Sequence, residues 1–156
     1  MIEESLFNKA SKAWERGNKK RAFELFFEAA NKDEPSAQNN LGFFYSEGIG
    51  TRKDNNKALY WFKRAVSNGE IYACINIAKM YQDAGNIKRA KMWLAKAVQG
   101  GDGDAALDLA KLYLKNKRRD NLFKAKSNLN KVINSRSTTE DSRAAARTLL
   151  LQLRNN

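Results

Sequence analysis

The sequence predicts an all-α protein that is built as a solenoid of stacked helix pairs. Apolar residues recur at three- and four-residue spacing through most of the chain, and no segment sustains the period-two alternation of a strand. One proline and nine glycines among 156 residues leave few breaks in this pattern. The pattern also returns at intervals of 32–36 residues, a spacing typical of helix-pair repeats.

The best-defined copy of the repeat spans residues 37–69, where two helical patterns flank a glycine-rich loop. Small residues at fixed positions let neighbouring helices approach closely, and large residues fill the space beside them. The same order of small and large residues occurs twice more along the chain. The matching first-helix positions are Ala37, Leu41, Gly42, Phe44 and Tyr45; Ala73, Ile77, Ala78, Met80 and Tyr81; and Ala105, Leu109, Ala110, Leu112 and Tyr113.

The second helices are marked by the alanines at positions 22, 58, 90 and 125, which lie 36, 32 and 35 residues apart. They define about four repeats in one domain that covers residues 1–156. The approximate repeats are 5–35, 36–70, 71–103 and 104–136, followed by a capping helix over 138–153. In that last helix Ser137 and Glu140 have capping-box spacing, and one side is apolar: Ala145, Leu149, Leu150 and Leu153.

Local signals place the turns and helix starts. Pro35 suits the first position of a helix, where its missing N–H costs nothing. Gly48 and Gly50 allow the chain to turn after the first helix of the second repeat. Asp54 precedes the next helix, where its carboxylate can accept hydrogen bonds from free N–H groups. These residues are therefore interpreted as turn and cap residues.

The charge is strongly basic and unevenly distributed. The chain carries 29 basic and 17 acidic side chains, a net charge of +12. Residues 111–136 hold nine basic side chains against Asp120 alone. Such a balance indicates an acidic partner, nucleic acid or an anionic surface, or else a solvated face. No apolar run approaches the roughly 18 residues of a membrane span, and the acidic first residues lack the apolar run of a signal peptide, so we expect none. With Cys74 as the one cysteine, we expect a cytoplasmic protein without membrane contact.

The residue types that carry most enzyme chemistry are missing or placed for structural roles. The chain has no histidine, and its glycine-rich loop lacks the residues of a phosphate-binding loop. Cys74 adjoins a core alanine and is interpreted as a packed thiol. Asp102 and Asp104 lead into a helix, without calcium-loop spacing. We therefore expect no catalytic residues, no cofactor and no metal.

Residues 37–70 read A-x3-L-G-x2-Y-x2-G-x-G-x3-D-x2-K-A-x2-W-F-x2-A-x3-G, which resembles the Sel-one-like repeat (SLR) family of the tetratricopeptide-like superfamily. The likeness is partial downstream, where 71–103 lack the glycine loop and 104–136 carry Asn128 in place of the tryptophan. It covers about residues 5–136. The motif positions are Ala37, Leu41, Gly42, Tyr45, Gly48, Gly50, Asp54, Lys57, Ala58, Trp61, Ala65 and Gly69.

The resemblance implies a right-handed superhelix of antiparallel helix pairs that serves as a scaffold for protein–protein contacts. In that superfamily the first helix of each pair lines a concave groove. First-helix positions that packing leaves unused then become candidate partner-binding residues, although Ile75 and Leu107 have an alternative interpretation as residues half-buried by the next repeat. The candidates are Asn39, Phe43, Glu47, Ile75, Lys79, Gln82, Asp83, Leu107, Lys111, Leu114 and Lys115.

Two functional hypotheses follow. Apolar anchors combined with lysines favour an acidic protein partner in the groove, and the habits of the family suggest an immunity-type inhibitor of a cognate toxin. The alternative is nucleic-acid binding through residues 111–136, with Lys117, Arg118 and Arg119 as the sharpest basic patch. No stacking platform or nucleic-acid motif accompanies that patch, so the protein partner is preferred.

Overall fold

The computed structural model describes residues 4–116 and 118–154, and throughout these ranges the chain is helical apart from short connections. This confirms the predicted all-α class. The helices are α1 (Leu6–Glu15), α2 (Lys19–Asn31), α3 (Pro35–Glu47), α4 (Asn55–Ser67), α5 (Ala73–Asp83), α6 (Ile87–Gln99), α7 (Gly103–Leu114), α8 (Arg119–Asn134) and α9 (Glu140–Gln152).

The helices follow the predicted repeats in order and fall into two compact units, Met1–Ile77 and Ala78–Asn156. In the first unit α1 packs on α2, α2 on α3, and α3 on α4. In the second unit α6 packs on α7, α7 on α8, and α8 on α9. Within each unit these helices therefore contact their neighbours in sequence, as expected of stacked helix pairs.

Aromatic side chains fill the core of the first unit. The Phe44 ring lies 5.3 Å from the ring of Trp14 and 5.4 Å from that of Phe26, between centroids. Phe23 meets Tyr45 edge to face at 5.4 Å. Such tilted and edge-on pairs are favourable beyond the apolar area that they bury. The first unit thus joins α1, α2 and α3 through one cluster of rings.

Small and aliphatic side chains fill the core of the second unit. Helix α9 buries Ala146 and lays its predicted apolar side against the same core. The partly buried α9 residues are Ala145, Leu149, Leu150 and Leu153. The buried core residues are Ala106, Leu107, Ala110, Ala125, Leu129, Val132 and Ala146.

The predicted start of α9 is wrong by two residues. Thr139, rather than Ser137, is the cap residue, and its hydroxyl accepts a hydrogen bond from the Ser142 amide. The Ser137 hydroxyl is instead engaged by the loop before α7, where it donates to the Gly101 carbonyl and accepts from the Gly103 amide. This tertiary pairing overrides the local capping box. By contrast, the structure confirms Pro35 in the first turn of α3 and the Asp54 cap on the Lys57 amide.

Candidate functional site

The first-helix positions of the first unit differ in how much they offer to a partner. Phe43 is 40% exposed on α3, although the two residues that follow it are buried. Glu47 is exposed one turn later, and Asn39 is half-buried one turn earlier. The Asn39 side-chain oxygen accepts a hydrogen bond of 2.8 Å from the side-chain amide of Asn76. Ile75, which precedes Asn76 in the sequence, is half-buried. Phe43 is therefore the exposed apolar side chain of this face.

The candidates of the second unit are mostly polar and exposed. Lys79 and Asp83 are exposed on α5, with Gln82 half-buried between them in sequence. Lys111 is exposed on α7, where its ammonium lies 3.5 Å from the Asp108 carboxylate. Lys115 is exposed directly after the last residue of that helix. These side chains are accessible to a partner and supply charge rather than apolar area.

The structure contradicts the proposed role of Leu107 as a groove anchor. Leu107 is only 6% exposed because it belongs to the core between α7 and α8. Leu114, at the end of α7, is half-buried and packs against the same core. Both side chains are explained by packing within the repeat, which was the alternative interpretation for Leu107. The apolar component of the predicted surface is thus reduced in the second unit.

The basic patch lies at the start of α8. Arg118 is the residue before the helix and Arg119 is its first residue, and both side chains are exposed. Lys117 lies outside the described residues. The Arg118 amide donates to the Asn116 side chain, so a local turn sets the start of the helix.

Several exposed features on second helices were not among the predicted site residues. Tyr60 on α4 is 57% exposed and Phe123 on α8 is 76% exposed. A further feature is the Tyr113 ring on the first helix α7, which lies 4.4 Å from the Lys91 ammonium and 5.8 Å from the Lys124 ammonium. The sequence signal that could have found Tyr60 and Phe123 is the outward-facing stripe of each second helix, which repeat packing leaves unused.

The strongest polar cluster of the first unit is structural. The Asp33 carboxylate accepts hydrogen bonds from Arg64 at 2.8 Å and from Gln38 at 3.2 Å. Gln38 is fully buried, donates to the Ala30 carbonyl and accepts from Asn68. The Arg64 guanidinium lowers the pKa of Asp33, and the Asp33 carboxylate in turn raises the pKa of Arg64. These contacts tie the end of α2 to α3 and α4.

Two kinds of feature are absent from the part of the chain that the structure describes. No helix there is both long and apolar enough to cross a bilayer. Among the same residues, histidine, cysteine and carboxylate side chains do not gather in a group of three that could hold a metal ion. Cys74 is buried on α5.

The comparisons with known proteins agree on one repeat family. The family profile named Sel1 repeat matches residues 15–34, 35–70 and 71–102. Over 64 residues the chain is 38% identical to the ERAD-associated E3 ubiquitin-protein ligase component HRD3A of Arabidopsis thaliana. That stretch is 40% of this chain and only 9% of the plant protein.

Two solved structures have the same fold. A Sel1 repeat protein from Oxalobacter formigenes matches with a TM-score of 0.73 and 23% identity, over 90% of this chain and 60% of that one. A protective antigen present in uropathogenic Escherichia coli strains, which displays an SLR fold, matches with a TM-score of 0.70 and 22% identity. The second match covers 81% of this chain and 29% of that one. At these identities the structures establish the fold alone.

Proposed function

Because the chain belongs to the Sel1 repeat family, we propose that it is a non-catalytic module that binds an acidic protein partner through the exposed face of its first helices. Sel1 repeat proteins mediate protein–protein interactions. The fold is in general a scaffold without catalytic machinery. The acidic character of the partner, the binding face and a cytoplasmic location are parts of our proposal.

The exposure of Phe43 is the observation that carries this proposal. On α3, Phe44 and Tyr45 satisfy the packing of the repeat, since both are buried in the aromatic core. Phe43 is not needed for that role and keeps 40% of its surface open. Residues four apart lie on the same side of a helix, so Asn39 and Glu47 flank it. An aromatic side chain with polar neighbours is the usual composition of an interface anchor.

Charge supports an acidic partner. Residues 78–156 contain 17 basic and seven acidic side chains, a net charge of +10. On the first-helix side of this unit Lys79, Lys111 and Lys115 are exposed, together with Asp83 and Asp108, so most of the excess lies on the other elements. A surface of one sign accelerates association with a partner of the opposite sign and disfavours partners of like sign.

The test is a binding measurement on a partner isolated with the full chain from its native cell. Phe43→Ala should weaken binding at least tenfold, because truncating an aromatic anchor costs about 2 kcal/mol. Tyr60→Ala is the matched control, since it removes a more exposed aromatic from a second helix. It should change affinity less than threefold. If neither Phe43→Ala nor Tyr60→Ala changes the affinity for the partner, the first-helix face is rejected as the binding site.

The family resemblance also supports a narrower version, in which the partner is a toxin that this chain inhibits. A gene for a large toxin beside the gene for this chain would favour that version. The functional measurement is growth of cells that express the toxin with and without this chain. Protection that Phe43→Ala abolishes would support the inhibitor, and absence of protection with a neighbouring toxin would contradict it.

The second candidate function is nucleic-acid binding, which is favoured by the excess of eight positive charges in residues 111–136. Phosphate contacts release counterions, so affinity would fall steeply as salt rises. A gel-shift titration at several salt concentrations distinguishes the two functions. Binding that is weak at physiological salt would leave the protein partner as the better explanation.

A further inference from the structure

Two lysines from different helices converge on one tyrosine in the second unit. Lys91 comes from α6, Lys124 from α8, and both side chains approach the ring of Tyr113 on α7. Their ammonium groups lie 4.4 Å and 5.8 Å from the ring centroid. A ring face attracts a cation by roughly 0.5–1 kcal/mol at an exposed position. Both ammonium groups therefore lie near the same ring, which neutralises neither charge.

Neither lysine of this pair has a carboxylate partner in the part of the chain that the structure describes. Among the described residues, no acidic oxygen lies within 4.0 Å of either ammonium, whereas Lys32, Lys57 and Lys111 each have such a partner. Partial burial, and secondarily the charge of Lys124, lower the pKa of Lys91. Two like charges held close together disfavour the doubly protonated state. An anion between them would remove this penalty.

The outward side of α8 extends this positive region. It carries four exposed basic side chains against Asp120, and Phe123 is the most exposed of the large apolar side chains that the structure describes. Residues three or four apart share a face of a helix, so Arg119 and Lys126 flank Phe123. An apolar side chain that is flanked by cationic side chains is complementary to a segment in which carboxylates alternate with apolar residues. The remaining basic residues of this side are Lys124 and Lys131.

We propose that Lys91, Lys124 and the outward side of α8 around Phe123 form a second docking surface, which takes an acidic protein segment. Carboxylates of the segment bind between Lys91 and Lys124, and an apolar residue contacts Phe123. This surface lies on second helices and is additional to the first-helix face. The inference rests on the proposed function only in taking the partner to be a protein.

The arrangement favours a protein segment over a nucleic acid. Single-stranded nucleic acids are held by aromatic side chains on which successive bases stack. The described part of α8 offers Phe123 alone, and ammonium groups already occupy the Tyr113 ring.

The experiment measures fluorescence anisotropy of a labelled 12-residue peptide in which glutamates are interrupted by two leucines. The full chain is compared with Lys91→Gln/Lys124→Gln, and Phe123→Ser is measured separately. Lys63→Gln/Lys53→Gln is the matched control, since it removes two exposed lysines from the other unit. The double variant removes two charge-assisted contacts to carboxylates, so it should bind at least tenfold more weakly. Phe123→Ser should lose about threefold and the control less than twofold.

A glutamine analogue of the peptide and a 12-nucleotide single-stranded RNA complete the test. Neither should bind with comparable affinity at physiological salt. The inference is overturned if the unmodified chain does not bind the acidic peptide, if both double variants lose affinity equally, or if the RNA binds more tightly through the same two lysines. If the peptide result fails while Phe43→Ala still weakens the native partner, the second surface is rejected and the proposed function stands.

Discussion

The two units use the same repeat but stabilise it by different means. In the part of the chain that the structure describes, the close aromatic pairs all lie in the first unit. The core of the second unit consists of alanine, leucine and valine. Residues 1–77 carry 12 basic and ten acidic side chains, whereas residues 78–156 carry 17 and seven. The first unit is thus nearly neutral with an aromatic core, and the second is strongly basic with an aliphatic core.

The difference shows that equivalent pairs of positions in the repeat keep a similar combined side-chain volume, although their residue types differ. Gly42 of α3 lies directly against Phe62 of α4, and a Cβ atom added at Gly42 would be 2.6 Å from a Phe62 ring carbon. The equivalent positions in the second unit are Ala110 and Leu129, which share one buried core. A smaller residue faces a larger one in the first unit, and two intermediate residues replace them in the second. Close packing at native density requires this compensation.

The largest expected effects come from truncating the large member of each pair. Phe62 is 1% exposed and Leu129 is fully buried. Phe62→Ala should lower the free energy of unfolding by about 3–5 kcal/mol and Leu129→Ala by about 2–5 kcal/mol, since both leave a cavity. Urea denaturation followed by circular dichroism measures both values. A loss below 1 kcal/mol at either position would mean that the core there collapses to fill the space.

The next effect tests the compensation itself. Gly42→Ala gains about 1 kcal/mol of helix propensity but costs about 1–3 kcal/mol through overpacking against Phe62, so a net loss of about 1 kcal/mol is expected. In a Phe62→Leu background the methyl group has room, and the same substitution should become neutral or stabilising. A double-mutant cycle by urea denaturation should give a coupling energy of about 1–2 kcal/mol. Additive effects would contradict direct volume compensation.

The fold could be predicted from the sequence because its signals are periodic, and several positions report the same packing rule. Ala22, Ala58, Ala90 and Ala125 are all fully buried, as their spacing predicts. Which residues are exposed could not be predicted with the same accuracy. The repeat motif does not use the position of Leu107 in the first helix, so the side chain is expected to be exposed. In the structure it is buried in the core that α7 shares with α8 and α9.

The tertiary contacts that the sequence failed to reveal join residues far apart in the chain. Ser137 has correct capping-box spacing, but a hydroxyl can bond to a distant loop as easily as to the next turn, and here it bonds to residues 34 and 36 positions away. The pairing of Lys91 and Lys124 around Tyr113 likewise depends on three helices coming together. Such sites lack a short-range spacing that could identify them.

The turn after the second helix differs between repeats, although residues 33, 69 and 101 are equivalent and all have positive φ. Gly69 and Gly101 adopt this backbone without steric cost. Asp33 adopts it with φ of 62°, an angle that aspartate tolerates better than most residues. Only Asp33 offers a side chain, and its carboxylate binds the Arg64 guanidinium at 2.8 Å. In the first repeat an ion pair therefore accompanies a turn that in the next two repeats needs only glycine.

The smallest expected effect is the pH dependence of this ion pair. The contact with Arg64 lowers the pKa of Asp33 below its ordinary value of 3.8, so the folded protein releases the Asp33 proton more readily than the unfolded chain does. The ion pair stabilises the fold fully above pH 3.8, the ordinary pKa of the group. This stabilisation is lost as the pH falls through the lower pKa that Asp33 has in the folded protein. Asp33→Asn keeps the tolerance for positive φ and removes the charge. Its melting temperature should be slightly below that of the unmodified chain at pH 7 and equal to it in strong acid.

Differential scanning calorimetry across this pH range measures the gap between the two melting temperatures. The gap should stay small because the Asp33 side chain is 64% exposed, and solvent screens exposed pairs. It should shrink further at high salt. Arg64→Gln is the matched control, since in that background Asp33→Asn should have almost no further effect near neutral pH. A gap that does not vary with pH would assign the role of Asp33 to its backbone conformation and its amide partners instead of its charge.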